Sequence, residues 1–345
     1  MRTAHLLWLA FLLLPAACGS PDTPPCDPTQ QACVLEHDFG VTALSAGQEI
    51  NGQCNSWTLH NPTDLWVSAV ELSNDGGHHH SNWFYVPDHV YDRPDGKWPC
   101  GELHFSELNA ALLGGVLFAQ STQARGETQR FQPGAVLRVP AWSRIIGNVH
   151  LLNASATPLT TGLRLRVHTV PPAMAQVKLS PLRLSYYDLR LPPRTRSEFG
   201  ASCNVRRAYE DLRREPMRMK LHYALPHYHE LGRRFRLSIA GGPRDGRLLF
   251  ESSALLGEPG GHTFAVPVDL GDADGLRFSC SYDNPRDTEV RWGIGDQEMC
   301  VMLGFAESPI AFDAFVEQGQ PGTPVNGVVQ HSGPCQVRAF NYFAG

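Results

Sequence analysis

The segment Leu163-Arg164-Leu165-Arg166-Val167-His168 alternates strictly between apolar and polar side chains. In an extended chain successive side chains point to opposite faces, so this pattern specifies a half-buried β-strand. Phe235, Leu237 and Ile239 alternate in the same way with Arg234, Arg236 and Ser238, and Phe264, Val266 and Val268 form a third run. Clusters of Gly, Pro, Asn and Asp separate such runs, as turns between strands require. Helical periodicity is scarce, and only residues 106–113 and 206–215 read as short helices. Many short strands with Gly- and Pro-rich turns indicate an all-β protein built from antiparallel sandwiches of jelly-roll type. No internal repeat is visible.

The chain has 345 residues, enough for two domains with full cores. Val170-Pro171-Pro172 divides it into an N-terminal domain, 35–170, and a C-terminal domain, 171–345, each expected to be a β-sandwich. A charged fraction of 18% and a net charge of −5 describe a globular protein without a broad basic face, so nucleic acid is not an expected partner.

Arg2 followed by the apolar run Leu6–Leu14 reads as a secretory signal too short to span a bilayer. Leu14-Pro15-Ala16-Ala17-Cys18 resembles a bacterial lipobox, which makes Cys18 the expected lipidation site and residues 1–18 the signal. Residues 19–34 are Pro-rich and polar, the composition of a tether. The expected location is therefore exported, lipid-anchored to a bacterial membrane, and periplasmic or extracellular if acylation does not occur. Setting Cys18 aside, the nine cysteines leave an even set at 26, 33, 54, 100, 203, 280, 300 and 335, which favours disulfides over thiolate metal ligation.

The fifteen histidines are informative through their placement. His78, His79 and His80 follow Asp75-Gly76-Gly77. His150 lies in the apolar run Arg144–Leu152, which reads as a buried strand, and a buried imidazole needs a hydrogen bond or a metal. His227-Tyr228-His229 precedes Glu230-Leu231-Gly232, and in a strand the two histidines would share a face. Met299 lies in Asp296-Gln297-Glu298-Met299-Cys300. Singly, each has an ordinary explanation as a solvated turn, a hydrogen-bonded core histidine or core packing.

As an ordered set, these motifs resemble the copper type II, ascorbate-dependent monooxygenases, the family of peptidylglycine α-hydroxylating monooxygenase and dopamine β-monooxygenase. The resemblance covers roughly residues 35–345 and rests on His79-His80-Ser81-Asn82-Trp83, His150, His227-Tyr228-His229-Glu230-Leu231-Gly232 and Glu298-Met299-Cys300. It implies two copper ions. The first would be held by His79, His80 and His150, and the second, which would bind O2, by His227, His229 and Met299. It also implies disulfides Cys54–Cys100, Cys203–Cys335 and Cys280–Cys300, leaving Cys26 and Cys33 to pair with each other. The ligand types suit copper independently, because imidazole favours Cu(II) and a thioether favours Cu(I).

Strand parity would pair His78 with His80, whereas the resemblance selects His79 and His80. Neighbours can serve one ion only if the backbone leaves regular pleating, by a bulge or at a strand end, and Gly76-Gly77 permits that departure. Where peptide-amidating members of the family anchor a carboxylate, this sequence has Leu225, Val301 and Leu303. The implied activity is therefore hydroxylation of a C–H bond in a small molecule or surface component other than a peptidylglycine, by a monomer using O2 and an ascorbate-type reductant. The alternative is a non-catalytic copper-binding or storage lipoprotein with the same ligands.

Overall fold

A computed structural model describes residues 26–342. The signal, Cys18 and the first part of the tether, residues 19–25, lie outside the described residues. Where the tether enters them, strand Cys33–Leu44 already begins two residues before the expected boundary.

The alternating runs fold as strands. In Leu159–Val170, residues 161, 163, 165, 167 and 169 are buried while Arg164 and Arg166 are exposed. In Gly232–Ala240, Phe235, Leu237 and Ile239 are fully buried. The third run departs from its pattern: Phe264 is buried but Val266 is 79% exposed. Strand His262–Asp269 lies at a sheet edge, and its pairing with Lys220–His227 slips between Leu221 and Tyr223. Edge position and slip release Val266 from the core side. Both short helices form, Glu107–Leu113 and Val205–Arg213, each capped by the preceding side chain, Ser106 and Asn204. Such caps contribute about 1 kcal/mol each.

The N-terminal half is a sandwich of two sheets. One contains Cys33–Leu44, Leu159–Val170, Leu65–Asn74, Ala135–Val139 and Gly126–Arg130. The other runs in the order Gly96–Pro99, Glu49–Thr58, Ser143–Leu152, His78–Pro87, Gly115–Ala119. Val67, Leu72, Leu165 and Val167 from the first meet Trp83, Tyr85, Val149 and Leu151 from the second. Burying each large apolar side chain stabilises the fold by roughly 1.5–3 kcal/mol. Gly147 sits opposite Trp83 in the ladder, and a Cβ there would lie 2.5 Å from the indole. The indole N–H donates to Ser81 Oγ at 2.9 Å, which fixes the strand that carries the histidine triplet.

The C-terminal half repeats the plan with sheets built on Val177–Tyr186, Val301–Glu307 and Lys220–His227 and on Thr195–Cys203, Gly275–Asn284 and Gly232–Ala240. Most neighbours are antiparallel, but Val177–Tyr186 pairs in parallel with Ile310–Val316 and, through Val177 and Lys178, with Ala135 and Val136. That last pair joins one sheet of each half across residues 170–172. Leu179, Tyr223, Leu225 and Phe305 accordingly pack into the core of the N-terminal half.

Four disulfides close the described chain: Cys26–Cys33, Cys54–Cys100, Cys203–Cys335 and Cys280–Cys300. They are the bonds of a protein folded in an oxidising, exported environment. No helix among the described residues is long and apolar enough to cross a membrane.

Candidate metal centre at the junction of the two halves

The histidine triplet begins strand His78–Pro87, and its ladder with Ser143–Leu152 is irregular there: His78 faces Leu151, while His80 faces His150. One extra residue is therefore accommodated between the two pairs, a β-bulge that breaks alternation. Gly76 and Gly77 lead into it with φ of 104° and 69°. A Cβ on Gly77 would also meet Leu159 at 2.8 Å. The bulge turns His79 and His80 to one side. His78 points elsewhere, its Nδ1 lying 3.2 Å from Thr161 Oγ1 and 3.3 Å from the carbonyl of Gly76.

His150 occupies the central strand of its sheet and is 2% exposed. Its Nε2 lies 2.7 Å from Glu49 Oε1. A carboxylate accepts, so Nε2 carries the proton and Nδ1 keeps the lone pair. That Nδ1 is 3.4 Å from His80 Nε2.

Strand Lys220–His227 ends at His227, so the expected strand through His229 does not form. The carboxylate of Glu298 accepts the backbone N–H groups of His229 at 2.8 Å and Leu231 at 2.6 Å, turning the chain after the strand. The two rings nevertheless converge, with centroids 5.2 Å apart. His229 Nδ1 donates to the carbonyl of Gln297 at 2.8 Å, which leaves the Nε2 lone pair free. Thr122 Oγ1 donates to the carbonyl of Tyr228 and can only accept from His227 Nδ1, 3.4 Å away. The Nε2 of His227 is then the atom with the lone pair.

These elements bring five histidines together. His79, His80 and His150 form one group and His80, His227 and His229 another, the potential ligand atoms in each lying within 4.8 Å of one another. Contact between the halves is direct: the rings of His79 and His229 are 4.9 Å apart, and those of His80 and His227 are 5.0 Å apart.

Burial, then repulsion from neighbouring imidazoles, lowers the His79 pKa to about 3, and holds His80 and His227 well below the ordinary value. His229 is lowered to about 4, burial again being the main cause. The cluster is neutral at physiological pH, the form that binds metal. His79 Nε2 and His229 Nε2 are buried without a hydrogen-bond partner. Two orphaned nitrogens carry a desolvation cost that a metal ion would remove.

Met299 is half-buried and lines a cavity together with His80 and His227. Its carbonyl accepts from Tyr282 Oη at 2.5 Å, and the Cys280–Cys300 bond ties the next residue to the sheet. The buried Glu298 carboxyl is pushed up to about 7 by burial, against the pull of its backbone donors. Glu298 thus joins the methionine segment to the His227–His229 turn.

The cavity has a volume of 360 Å³. Leu225, Val301 and Leu303, the expected substitutes for a carboxylate anchor, line it with Phe118, Phe305 and Phe312. Polar groups that the sequence did not single out also reach it. Glu107 accepts from Asn82 at 3.2 Å and from Asn148 at 2.8 Å, and these two asparagines face each other two positions along the ladder from His80 and His150. Arg183 Nε donates to Asp313 Oδ1 at 2.8 Å. Leu108 and Leu112 of helix Glu107–Leu113 line the cavity and remain exposed.

Glu49, Thr122, Gln297 and Glu298, which orient the histidines, were also not apparent as site residues in the sequence. Only the position of Glu298 beside Met299 could have signalled it.

No family model and no curated protein matches the chain. Among solved structures, the major capsid protein P2 of bacteriophage PM2 is 11% identical, with 78% of this chain and 98% of that chain covered at a TM-score of 0.33. A Sulfolobus turreted icosahedral virus chain is 9% identical over 80% and 91%, with a TM-score of 0.30. A cowpea mosaic virus chain is 9% identical over 81% and 89%, with a TM-score of 0.29. At such TM-scores the likeness carries no argument about what this protein does.

Proposed function

We propose that this protein is an exported copper-dependent monooxygenase that hydroxylates a C–H bond of a small molecule or surface component, using O2 and an ascorbate-type reductant. The observation that carries this reading is the convergence of five neutral imidazoles, two of which, His80 and His227, line the same cavity as Met299. Three imidazoles, His79, His80 and His150, suit an ion that stores and passes one electron. His227, His229 and the Met299 thioether suit an ion that must be stable as Cu(I). Copper at these residues would supply the redox chemistry that activates dioxygen.

The chain's own groups have separate tasks. Glu49 and the carbonyl of Gln297 hold protons on the outward nitrogens of His150 and His229, so that the inward nitrogens keep their lone pairs. Glu298 fixes the His227–His229 turn against the Met299 segment. The aromatic and aliphatic walls exclude water from the reacting carbon and hold an apolar substrate body. Glu107 and the Arg183–Asp313 pair would receive polar groups of the substrate. Leu225, Val301 and Leu303 offer a substrate carboxylate no partner, which favours something other than a peptidylglycine. Anchoring through an acylated Cys18 would place the enzyme at a bacterial membrane surface.

The test is ascorbate-dependent oxygen consumption by copper-loaded protein, with product detection across a panel of small apolar and amphiphilic compounds. Turnover lost in His227→Ala and Met299→Ala supports the proposal. Tight copper binding with no turnover on any compound would leave the storage reading in its place.

A further inference from the structure

Trp142 is 55% exposed, and its backbone adopts a φ of 57°, the left-handed region that a bulky residue seldom occupies. The turn that carries it is held on both sides. Its N–H donates to the carbonyl of Asn61 at 2.7 Å, and its carbonyl accepts from the Asp88 N–H at 2.8 Å. Among the described residues, no ring or cation stacks on the indole. Glycine or asparagine would meet that backbone at lower cost. A strained turn that presents a large aromatic to the outside points to a partner beyond the chain. Strand register tells which end of the molecule this is. Cys33 lies opposite Thr169, Val170 opposite Trp66, and Leu65 opposite Val139. The Cys26–Cys33 loop, through which the tether enters, and the turn after Val139 therefore share one end of the N-terminal sandwich.

Helix Glu107–Leu113 reaches toward the same end. Pro87 pairs with Ser143, next to Trp142, and two positions earlier in that strand Tyr85 pairs with Gly115, just after the helix. Leu112 and Leu113 of its last turn are exposed, and Leu112 also lines the cavity. We propose that this end of the molecule rests on the lipid bilayer that holds the anchor, with the Trp142 indole at the membrane–water boundary and Leu112 and Leu113 beside it. The inference rests on the acylation of Cys18 proposed above. Cys18 and Cys26 are eight positions apart, a span of at most about 29 Å. An acylated Cys18 therefore keeps the tether end of the sandwich close to the bilayer. Tryptophan suits that boundary, since its apolar ring can face the acyl chains while its N–H faces the headgroups. The leucines add apolar area that the acyl layer takes out of water. Asp88, whose N–H holds the turn, would be repelled by anionic headgroups, so the contact is apolar and fits a zwitterionic surface.

The experiment uses the mature full chain reconstituted into phosphatidylcholine vesicles whose acyl chains carry bromine, a quencher of tryptophan emission. Bromolipid should lower the emission of the wild type, and added salt should not change that loss. The loss should disappear in Trp142→Phe and shrink about twofold or more in Leu112→Ser/Leu113→Ser. Vesicle-bound protein that bromolipid leaves unquenched, or whose quenching survives either variant unchanged, would overturn the docked orientation while leaving the anchor intact. The mass of the N-terminal peptide separates the two failures, because an unacylated Cys18 would overturn the anchoring and this inference together. The readout needs neither copper nor substrate, so the monooxygenase reading stands or falls separately.

Discussion

Replacing Glu49 by alanine should weaken copper binding without unfolding the protein. The carboxylate lies 2.7 Å from His150 Nε2, keeps the proton on that atom and leaves Nδ1 aimed at His80 Nε2, 3.4 Å away. Without it the imidazole can rotate and populate the tautomer that offers no inward lone pair. Removal of a carboxylate that orients a ligating histidine typically costs 10- to 100-fold in metal affinity, or about 1.4–2.7 kcal/mol. Glu49→Gln keeps an oxygen acceptor but no charge and should lose less, about threefold to tenfold. The Glu49 side chain is 39% exposed at the start of a strand, so its loss leaves no cavity, and the cost to fold stability is that of the unpartnered His150 N–H, about 1–3 kcal/mol. Competition against a chromophoric copper chelator at neutral pH measures the affinity, and thermal melts of the apo proteins check the fold. A Glu49→Ala protein that stays folded and binds the first copper equivalent within twofold of wild type would refute the reasoning.

Other substitutions follow from the bulge and the disulfides. His79→Ala should abolish the first copper site, whereas His78→Ala should leave it largely intact, because His78 contacts Thr161 and Gly76 instead of the cluster; metal analysis after desalting decides, and the reverse pattern would mean that strand parity governs. Replacing Cys280 and Cys300 together by serine opens a 20-residue separation and should cost about 3 kcal/mol of stability. It should also loosen Met299 and weaken Cu(I) binding more than Cu(II) binding, as separate Cu(I) and Cu(II) competition titrations would show.

Stability should also depend on pH. His78, His79 and His229 are lowered from 6.5 to about 4, 3 and 4, mainly by burial. Below pH 6.5 the unfolded chain binds protons at these residues and the folded chain does not. Apo-protein stability should therefore be full above that pH and fall toward pH 4, by about 1.4 kcal/mol per pH unit for each histidine. Denaturant melts at pH 7, 6 and 5 measure this, and a flat apo profile would contradict the burial of neutral imidazoles.

Local pattern made the strands and their inward faces legible. Leu163, Leu165 and Val167 needed only period-two alternation, and the Gly76-Gly77 pair marked where the chain could leave it. The pattern failed at Val266 because alternation shows which residues could face a core, not whether a sheet edge offers one there. It failed again at His229, where the carboxylate of Glu298, 69 positions away, ends the strand by capturing the backbone N–H.

The histidines and Met299 could be singled out by type and order, but the residues that orient them could not. Glu49 is 101 positions from His150, and Thr122 is 105 positions from His227. Arg183, Asp313 and Glu107 are unremarkable charges until sheet packing turns them toward one cavity. The sequence by itself determined an all-β chain with an even set of exported cysteines and six residues of copper-ligand type. Only the tertiary structure decided that His79 and His80 from one half meet His227 and His229 from the other. Periodicity is a property of neighbours along the chain, whereas that meeting involves contacts between distant segments, among them the parallel pairing of Val177 and Lys178 with Ala135 and Val136 and the hydrogen bond from Thr122 Oγ1 to the carbonyl of Tyr228.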